Sequence, residues 1–328
     1  MVMPPVDTAI LDVVGFSTED AIFTNYGGSD FSATFHLSGL KNGRRVTYFA
    51  KEGKGSEAAT MFRGEHASLN AIHAVVPDLC PASRGHGELG NGLDYYFIVT
   101  DLIDLQATDP PGSGRSLAQK LAALHKAPVP IPEGYDRPMF GFPVPTCCGA
   151  TEQNNSWKPT WAEFYADNRI RAIGRACLNA NSGEDTGADP ELREAIEVTA
   201  SKIVPRLLGE DTMGPLTPSL VHGDLWNGNK GRGIVGGQGG VEEVIFDPSC
   251  VYGHSEYELG IMRMFGGFGS AFWKEYERLI PKAEPKAEWE DRMALYELYH
   301  NLNHYALFGG EYRYAALGIM RKLIKKYG

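Results

Sequence analysis

The stretch that decides the reading is "LVHGDLWNGN", residues 220–229. It places His222, Asp224, Asn227 and Asn229 behind a Leu-Val pair and separates them with glycine and tryptophan. Three readings fit it: a polar surface turn, half of a metal site, or the catalytic loop of a phosphotransferase. H-x-D followed five residues later by Asn is the loop spacing of kinase-like enzymes. In that chemistry Asp224 accepts the proton of an attacking hydroxyl, Asn229 reaches a magnesium ion, and His222 packs inward to hold the loop. A metal site built on His222 and Asp224 lacks a third His or acid nearby on a helix.

The kinase reading makes demands elsewhere in the chain. A second metal carboxylate should end a strand soon after the loop. "VEEVIFDPSC" supplies an apolar strand ending in Asp247, 23 residues after Asp224 (247 − 224), the room a β-hairpin needs. As a plain turn, Asp-Pro would end a strand equally well. The glycines between 231 and 240 follow the loop and precede no helix, so they form hairpin loop and cradle no phosphate. A strand lysine paired to a helix glutamate is also required. "VTYFAKEG" predicts a strand ending near Lys51. The following segment predicts a helix with Met61, Glu65, Leu69, Ile72 and Val76 on one face, stopped by Pro77. A carboxylate inside such a stripe is costly unless paired, and Lys51 is the nearest upstream strand cation. Lys54 lies in a predicted turn. Gly27 and Gly28, between two strands, occupy the place of a phosphate-covering turn. "FIVTDLID" occupies the place of a hinge, where the backbone of Asp101 and Ile103 would bond adenine. A plain hairpin and a plain strand exit explain those two stretches equally well. The order along the chain joins the parts.

Length and composition fit this layout. The 328 residues are 43% hydrophobic and 22% charged, as in an ordinary globular chain. The net charge of −10 argues against nucleic acid and anionic membranes as partners. Five cysteines without regular spacing, and a start without a basic leader, give the expectation of reduced thiols in the cytoplasm. The expected fold class is α+β, bilobal and protein-kinase-like. Residues 1–103 form a small β-rich lobe and 104–328 a larger helical lobe. Asn42-Gly43 marks a hairpin and Ser116 caps a helix. Residues 128–160 are expected to be a long ordered loop, and 209–217 a linker.

Two spacings exclude a protein kinase. About 120 residues separate the hinge from His222, and about ten separate Asp247 from the next helix, which leaves no activation loop. The acceptor is therefore a small molecule or a small adduct.

"LVHGDLWNGN", "VIFDPSCVYGHSEYELGIMRMFGGF", "LYHNLNHYALFGGEYR", "FGFPVPTCCGATEQNNSW" and "MFRGEHASL" together resemble the fructosamine-3-kinase (ketosamine- or ribulosamine-3-kinase) family. The resemblance covers roughly residues 8 to 325. It implies the aminoglycoside-phosphotransferase/choline-kinase-like fold and the use of ATP and Mg2+. The implied reaction phosphorylates the 3-hydroxyl of the sugar on glycated lysine or glycated protein, after which the free amine is recovered. It implies Asp224 as base, Asn229 and Asp247 as metal ligands, and Lys51 with Glu65 as the phosphate-positioning pair. Acids and aromatics should line the acceptor pocket, which makes Trp226, His254, Glu256, Asn155, Trp157 and His304 candidates. Glu258, at a helix start, braces the loop, and "TCCG" is buried packing. One departure stands out: several relatives carry a glycine-richer turn with a cysteine where this chain has Ser29, Asp30 and Phe31. The alternatives are a kinase for another hydroxylated amine of the aminoglycoside or choline type, and a non-catalytic binder of glycated protein.

Overall fold

The computed structural model describes residues 6–28, 32–90, 92–108, 112–180 and 189–328. The chain divides into two compact units, residues 1–123 with 228–249, and 124–227 with 250–328.

The first unit is built on an antiparallel sheet of β1 (Ile22–Gly28), β2 (Ala33–Lys41), β3 (Arg44–Lys54), β4 (Ser83–Glu88) and β5 (Tyr95–Asp101), in the order β1-β2-β3-β5-β4. Asn42 and Gly43 both take positive φ, 53° and 73°, the two left-handed positions that a tight β2–β3 hairpin requires. Side chains alternate across β3. Tyr48 and Ala50 join Ile10, Leu11 and Val14 of α1 (Thr8–Val14) in a core with Leu37, Phe97 and Val99. The opposite parity carries Lys51 and Gly53, and a Cβ at Gly53 would meet Ala58 and Phe62 of α2 (Gly55–Val75). A period of two therefore aims Lys51 at α2. There the buried stripe is Phe62, Glu65, Leu69 and Ile72. β3 runs three residues past its expected end, because Glu52, Gly53 and Lys54 still pair with β5. Lys51 is consequently an interior strand residue, held between Thr34 and Ile98.

The division also differs from the expected boundary at 103. β6 (Ile103–Asp104) pairs with the Lys230–Val235 strand, which pairs in turn with Glu242–Ile245. Ile245 donates its N–H to the Leu79 carbonyl (2.8 Å). The fully buried Lys120 of α3 (Leu117–Lys126) meets the Glu242 carboxylate at 2.5 Å and the Asp78 carbonyl at 2.8 Å. These non-local bonds join the 228–249 hairpin to the sheet unit. Ser116 caps α3 as expected: its Oγ accepts the Gln119 N–H (3.1 Å), and Gln119 Oε1 accepts the Ser116 N–H (3.3 Å).

The second unit is mostly helical. Its core is aromatic, with Trp161, Tyr165, Tyr257 and Tyr296 in mutual ring contact and Trp161 Nε1 donating to the Tyr296 hydroxyl (2.9 Å). Two helical segments each contain a π-helical stretch, Tyr165–Arg171 and Thr199–Ile203. The first places the fully buried Arg169 against the Asn154 carbonyl (3.0 Å) and Asn155 Oδ1 (2.9 Å). The stretch expected as loop holds a short hairpin, Thr146–Cys148 with Thr151–Gln153, and the expected linker holds the short helix Glu210–Met213. Among the described residues, no helix is long and apolar enough to cross a membrane.

Candidate active site

In the sheet unit, Lys51 Nζ sits 2.8 and 2.9 Å from the two Glu65 oxygens and 2.8 Å from Asp247 Oδ1. Burial favours the neutral amine, yet the two carboxylates outweigh it and hold Lys51 above its ordinary value. Burial pushes the Glu65 carboxyl up, Lys51 pulls it back, and the second carboxylate adds to the rise. The pairing foreseen for Glu65 is therefore present, and it includes Asp247. Asp247 lies two residues past the Glu242–Ile245 strand, in a left-handed conformation (φ 56°) with its side chain half exposed. The preceding Phe246 N–H is bonded to the Asn229 carbonyl (3.0 Å), so the two expected metal ligands are tied together through the backbone.

Lys51, Glu65 and Asp247 line a cavity of about 290 Å³ together with Tyr26, Gly28, Leu69, Thr100 to Ile103 and Phe246. The lining combines apolar side chains such as Leu69, Leu102 and Ile103 with the charged Lys51, Glu65 and Asp247. The Asp101 N–H already donates to the Ala82 carbonyl (3.0 Å), and its carboxylate accepts from Arg84 Nε (2.7 Å). The Asp101 N–H, expected to bond adenine, is therefore already engaged, and the Leu102 carbonyl accepts from the Gly236 N–H (2.8 Å). Gly27 has φ 134° and Gly28 faces the cavity. The substituted positions 29–31 lie outside the described residues.

In the helical unit, the Ser219–Val221 strand, paired with Val251–Gly253, leads into the loop that carries His222 and Asp224. Gly223 turns at φ 81°, and the Asp224 N–H is bonded to His222 Nδ1 (3.2 Å). His222 is fully buried, as a shape-holding residue should be. Glu258, also fully buried, accepts the N–H groups of His222 (2.5 Å) and Gly223 (3.0 Å). Burial opposes its charge, but His125, His222 and the His222 amide hold its carboxyl below the usual range. Glu258 thus fixes the loop, in keeping with its expected bracing role. Cys148 is buried, as "TCCG" suggested, but its Sγ lies 3.6 Å from Asp224 Oδ1.

The acceptor candidates divide. Glu256 is spent on the buried Arg292 (2.8 and 3.2 Å) and the Ala283 N–H (2.8 Å). Asn155 bonds the Val144 carbonyl, Thr146 and Arg169. His254 is bonded to the Tyr296 hydroxyl (2.8 Å), and burial pushes its pKa down to about 4. Internal bonding occupies these three polar side chains, so they hold the scaffold. Trp157 is half-buried and stacks on Tyr252. Trp226, 39% exposed two residues after Asp224, packs on Phe265, which packs on His304, which stacks on Tyr312. Phe265 and Tyr312 complete this aromatic run. Sequence reading overlooked them because only their neighbours carry distinctive chemistry.

The loop is also supported from "FGGF". Gly267 has φ 82°, and a Cβ there would collide with the Asn227 carboxamide. Gly267→Ala is expected to cost more than about 1 kcal/mol and to lower turnover severalfold by displacing Asn227. Gly269, with open space around its Cβ position, should tolerate alanine. Thermal melts and kcat check both, and an unchanged Tm for Gly267→Ala would contradict the packing described.

A family model described as fructosamine kinase matches residues 6–326. The chain belongs to the fructosamine kinase family. Mouse ketosamine-3-kinase is 35% identical over 91% of this chain and 97% of its own length. The crystal structure of a Thermobifida fusca protein assigned as a fructosamine-3-kinase matches with a TM-score of 0.72, at 22% identity over 98% of both chains. That of aminoglycoside phosphotransferase APH(4)-Ia matches with a TM-score of 0.54, at 16% identity over 97% of both. These likenesses establish the fold, and family membership establishes a phosphotransferase acting on a hydroxyl.

Proposed function

We propose that this protein is an ATP- and Mg2+-dependent ketosamine 3-kinase. Its acceptors are ribulosamine and fructosamine adducts of lysine or protein amines, and the product decays to return the free amine. The observation that carries this reading is the Lys51–Glu65–Asp247 constellation on the floor of the nucleotide-sized cavity, in a chain of the fructosamine kinase family.

Asp224 takes the proton of the sugar 3-hydroxyl, and its oxygen attacks the γ-phosphorus as the bond to ADP breaks. Lys51, oriented by Glu65, positions the phosphates. The half-exposed Asp247 carboxylate and the Asn229 amide are hard oxygen donors of the kind magnesium takes, and would hold it. When bound, magnesium would supply charge compensation on the nucleotide phosphates. The exposed face of Trp226, beside Asp224, suits the cationic secondary amine of a glycated lysine.

The test is incubation with MgATP and synthetic ribuloselysine or fructoselysine, with phosphorus NMR of the product. A 3-phosphate is expected. Folded protein that turns over neither adduct but phosphorylates choline or an aminoglycoside would overturn the assignment.

A further inference from the structure

Three different elements of the helical unit converge behind the catalytic base. Cys148 comes from the short hairpin, Asp224 from the catalytic loop, and His300 from the Trp289–Phe308 helix. One ligand atom from each lies within 4.8 Å of the other two. Cys148 Sγ and Asp224 Oδ1 are 3.6 Å apart. A tetrahedral zinc ion, with Zn–S about 2.3 Å and Zn–O about 2.0 Å, sets sulfur and oxygen about 3.5 Å apart.

His300 supplies the second, independent observation. It is fully buried, and neither ring nitrogen has a hydrogen-bond partner. A buried imidazole in that state forfeits the stabilisation polar groups normally regain inside a protein. Tyr257 stacks on its ring (17° between planes) and Tyr299 meets it edge-on, so its plane is fixed. Asn303, one turn on, donates to the Cys148 carbonyl (3.1 Å) and leaves its own buried Oδ1 unmatched. That oxygen is available to a metal-bound water. Arg169 lies close enough to act on both Cys148 and His300, and its fixed charge opposes a cation. A thiolate and a carboxylate together outweigh it.

We propose that Cys148, Asp224 and His300 form a site for a thiophilic divalent cation of the zinc class, and that its occupancy takes the base out of use. Soft sulfur with imidazole and one carboxylate selects zinc over magnesium. Burial pushes the Cys148 thiol well up and the His300 imidazole down to about 3, so the free site is neutral at both. Binding breaks the Cys148 S–H bond, forms Zn–S, Zn–N and Zn–O bonds to Cys148, His300 and Asp224, and releases one proton to solvent. The fourth position remains for water. The inhibitory half of the proposal rests on Asp224 being the kinase base; the binding half does not.

The experiment uses the full chain, stripped with a chelator and kept reduced with a phosphine. Zn2+ is titrated in competition with a chromophoric chelator, and Co2+ is titrated while sulfur-to-cobalt absorption is recorded. One equivalent of zinc is expected to bind at micromolar affinity or tighter, with a charge-transfer band for cobalt. Cys148→Ser and His300→Gln should each weaken zinc at least tenfold, while Cys147→Ser should not. Circular dichroism reports folding, and if one variant fails to fold the other decides. No cobalt–sulfur band in the unsubstituted protein, affinity that survives Cys148→Ser or His300→Gln, or affinity lost with Cys147→Ser overturns the site. Zinc should also inhibit ketosamine turnover at saturating MgATP. If zinc binds through these residues but no ketosamine is turned over, the site stands and the kinase assignment falls. If turnover is present and indifferent to bound zinc, the inhibitory role falls alone.

Discussion

Replacing Asp224 by alanine is expected to lower kcat for ketosamine phosphorylation by about 10²–10⁴-fold, the usual contribution of a positioned general base. Nucleotide affinity should stay within a few-fold of the unsubstituted protein. The split follows from where the carboxylate sits. Its backbone N–H keeps the bond to His222 after truncation, and Glu258 holds the two preceding amides, so the loop keeps its shape. The residues that form the nucleotide-sized cavity do not include Asp224. Only the proton acceptor is lost. Steady-state kinetics with ribuloselysine and calorimetry with a non-hydrolysable nucleotide separate the two quantities. A kcat within threefold of normal would remove Asp224 from the chemistry. Equal losses in kcat and nucleotide affinity would point to a collapsed loop.

The parts of the site that could be read from the sequence were those where one residue made a demand that another had to meet. Glu65 interrupted an apolar stripe, which required a cation, and the strand before it offered Lys51. Asp247 closed an apolar strand at hairpin distance from Asp224. The fold class followed from the same spacings. Less could be read wherever the partner was remote in sequence. Glu256 had the pattern of an acceptor-pocket acid, but Arg292 claims it from a helix 36 residues on. Asn155 and His254 were likewise claimed by Arg169 and Tyr296. A polar residue in a distinctive motif serves substrate or scaffold with equal fitness, and only the neighbours decide. The boundary at 103 differed for the same reason. Pairing of β6 with the Lys230–Val235 strand is non-local, and no periodicity announces it. The π-helical insertion that delivers Arg169 has no local residue signal either.

Replacing Lys51 by methionine is expected to do two things with different pH dependence. Turnover should fall at least a hundredfold, because the phosphate-positioning charge is removed. Stability should also fall, because Glu65 is left buried without its cation. Stranding one member of a buried pair costs about 3–5 kcal/mol. Protonation offers Glu65 an escape. Burial already pushes its carboxyl up, and loss of Lys51 removes the main opposing influence, so its folded pKa rises further. A carboxyl whose folded pKa lies above its unfolded value contributes stability below the unfolded value, about 4.3, and loses it as pH rises through the folded pKa. The deficit of the Lys51→Met protein should therefore be smaller near pH 5 than near pH 8. Urea denaturation at the two pH values measures this directly. A deficit that is equal at both would mean that Glu65 is not the group left stranded. The double variant with Glu65→Leu discriminates further. It removes the unpaired carboxylate and fills the stripe between Phe62 and Leu69, so stability should return while turnover does not. Recovery of both would show that Lys51 serves the fold alone.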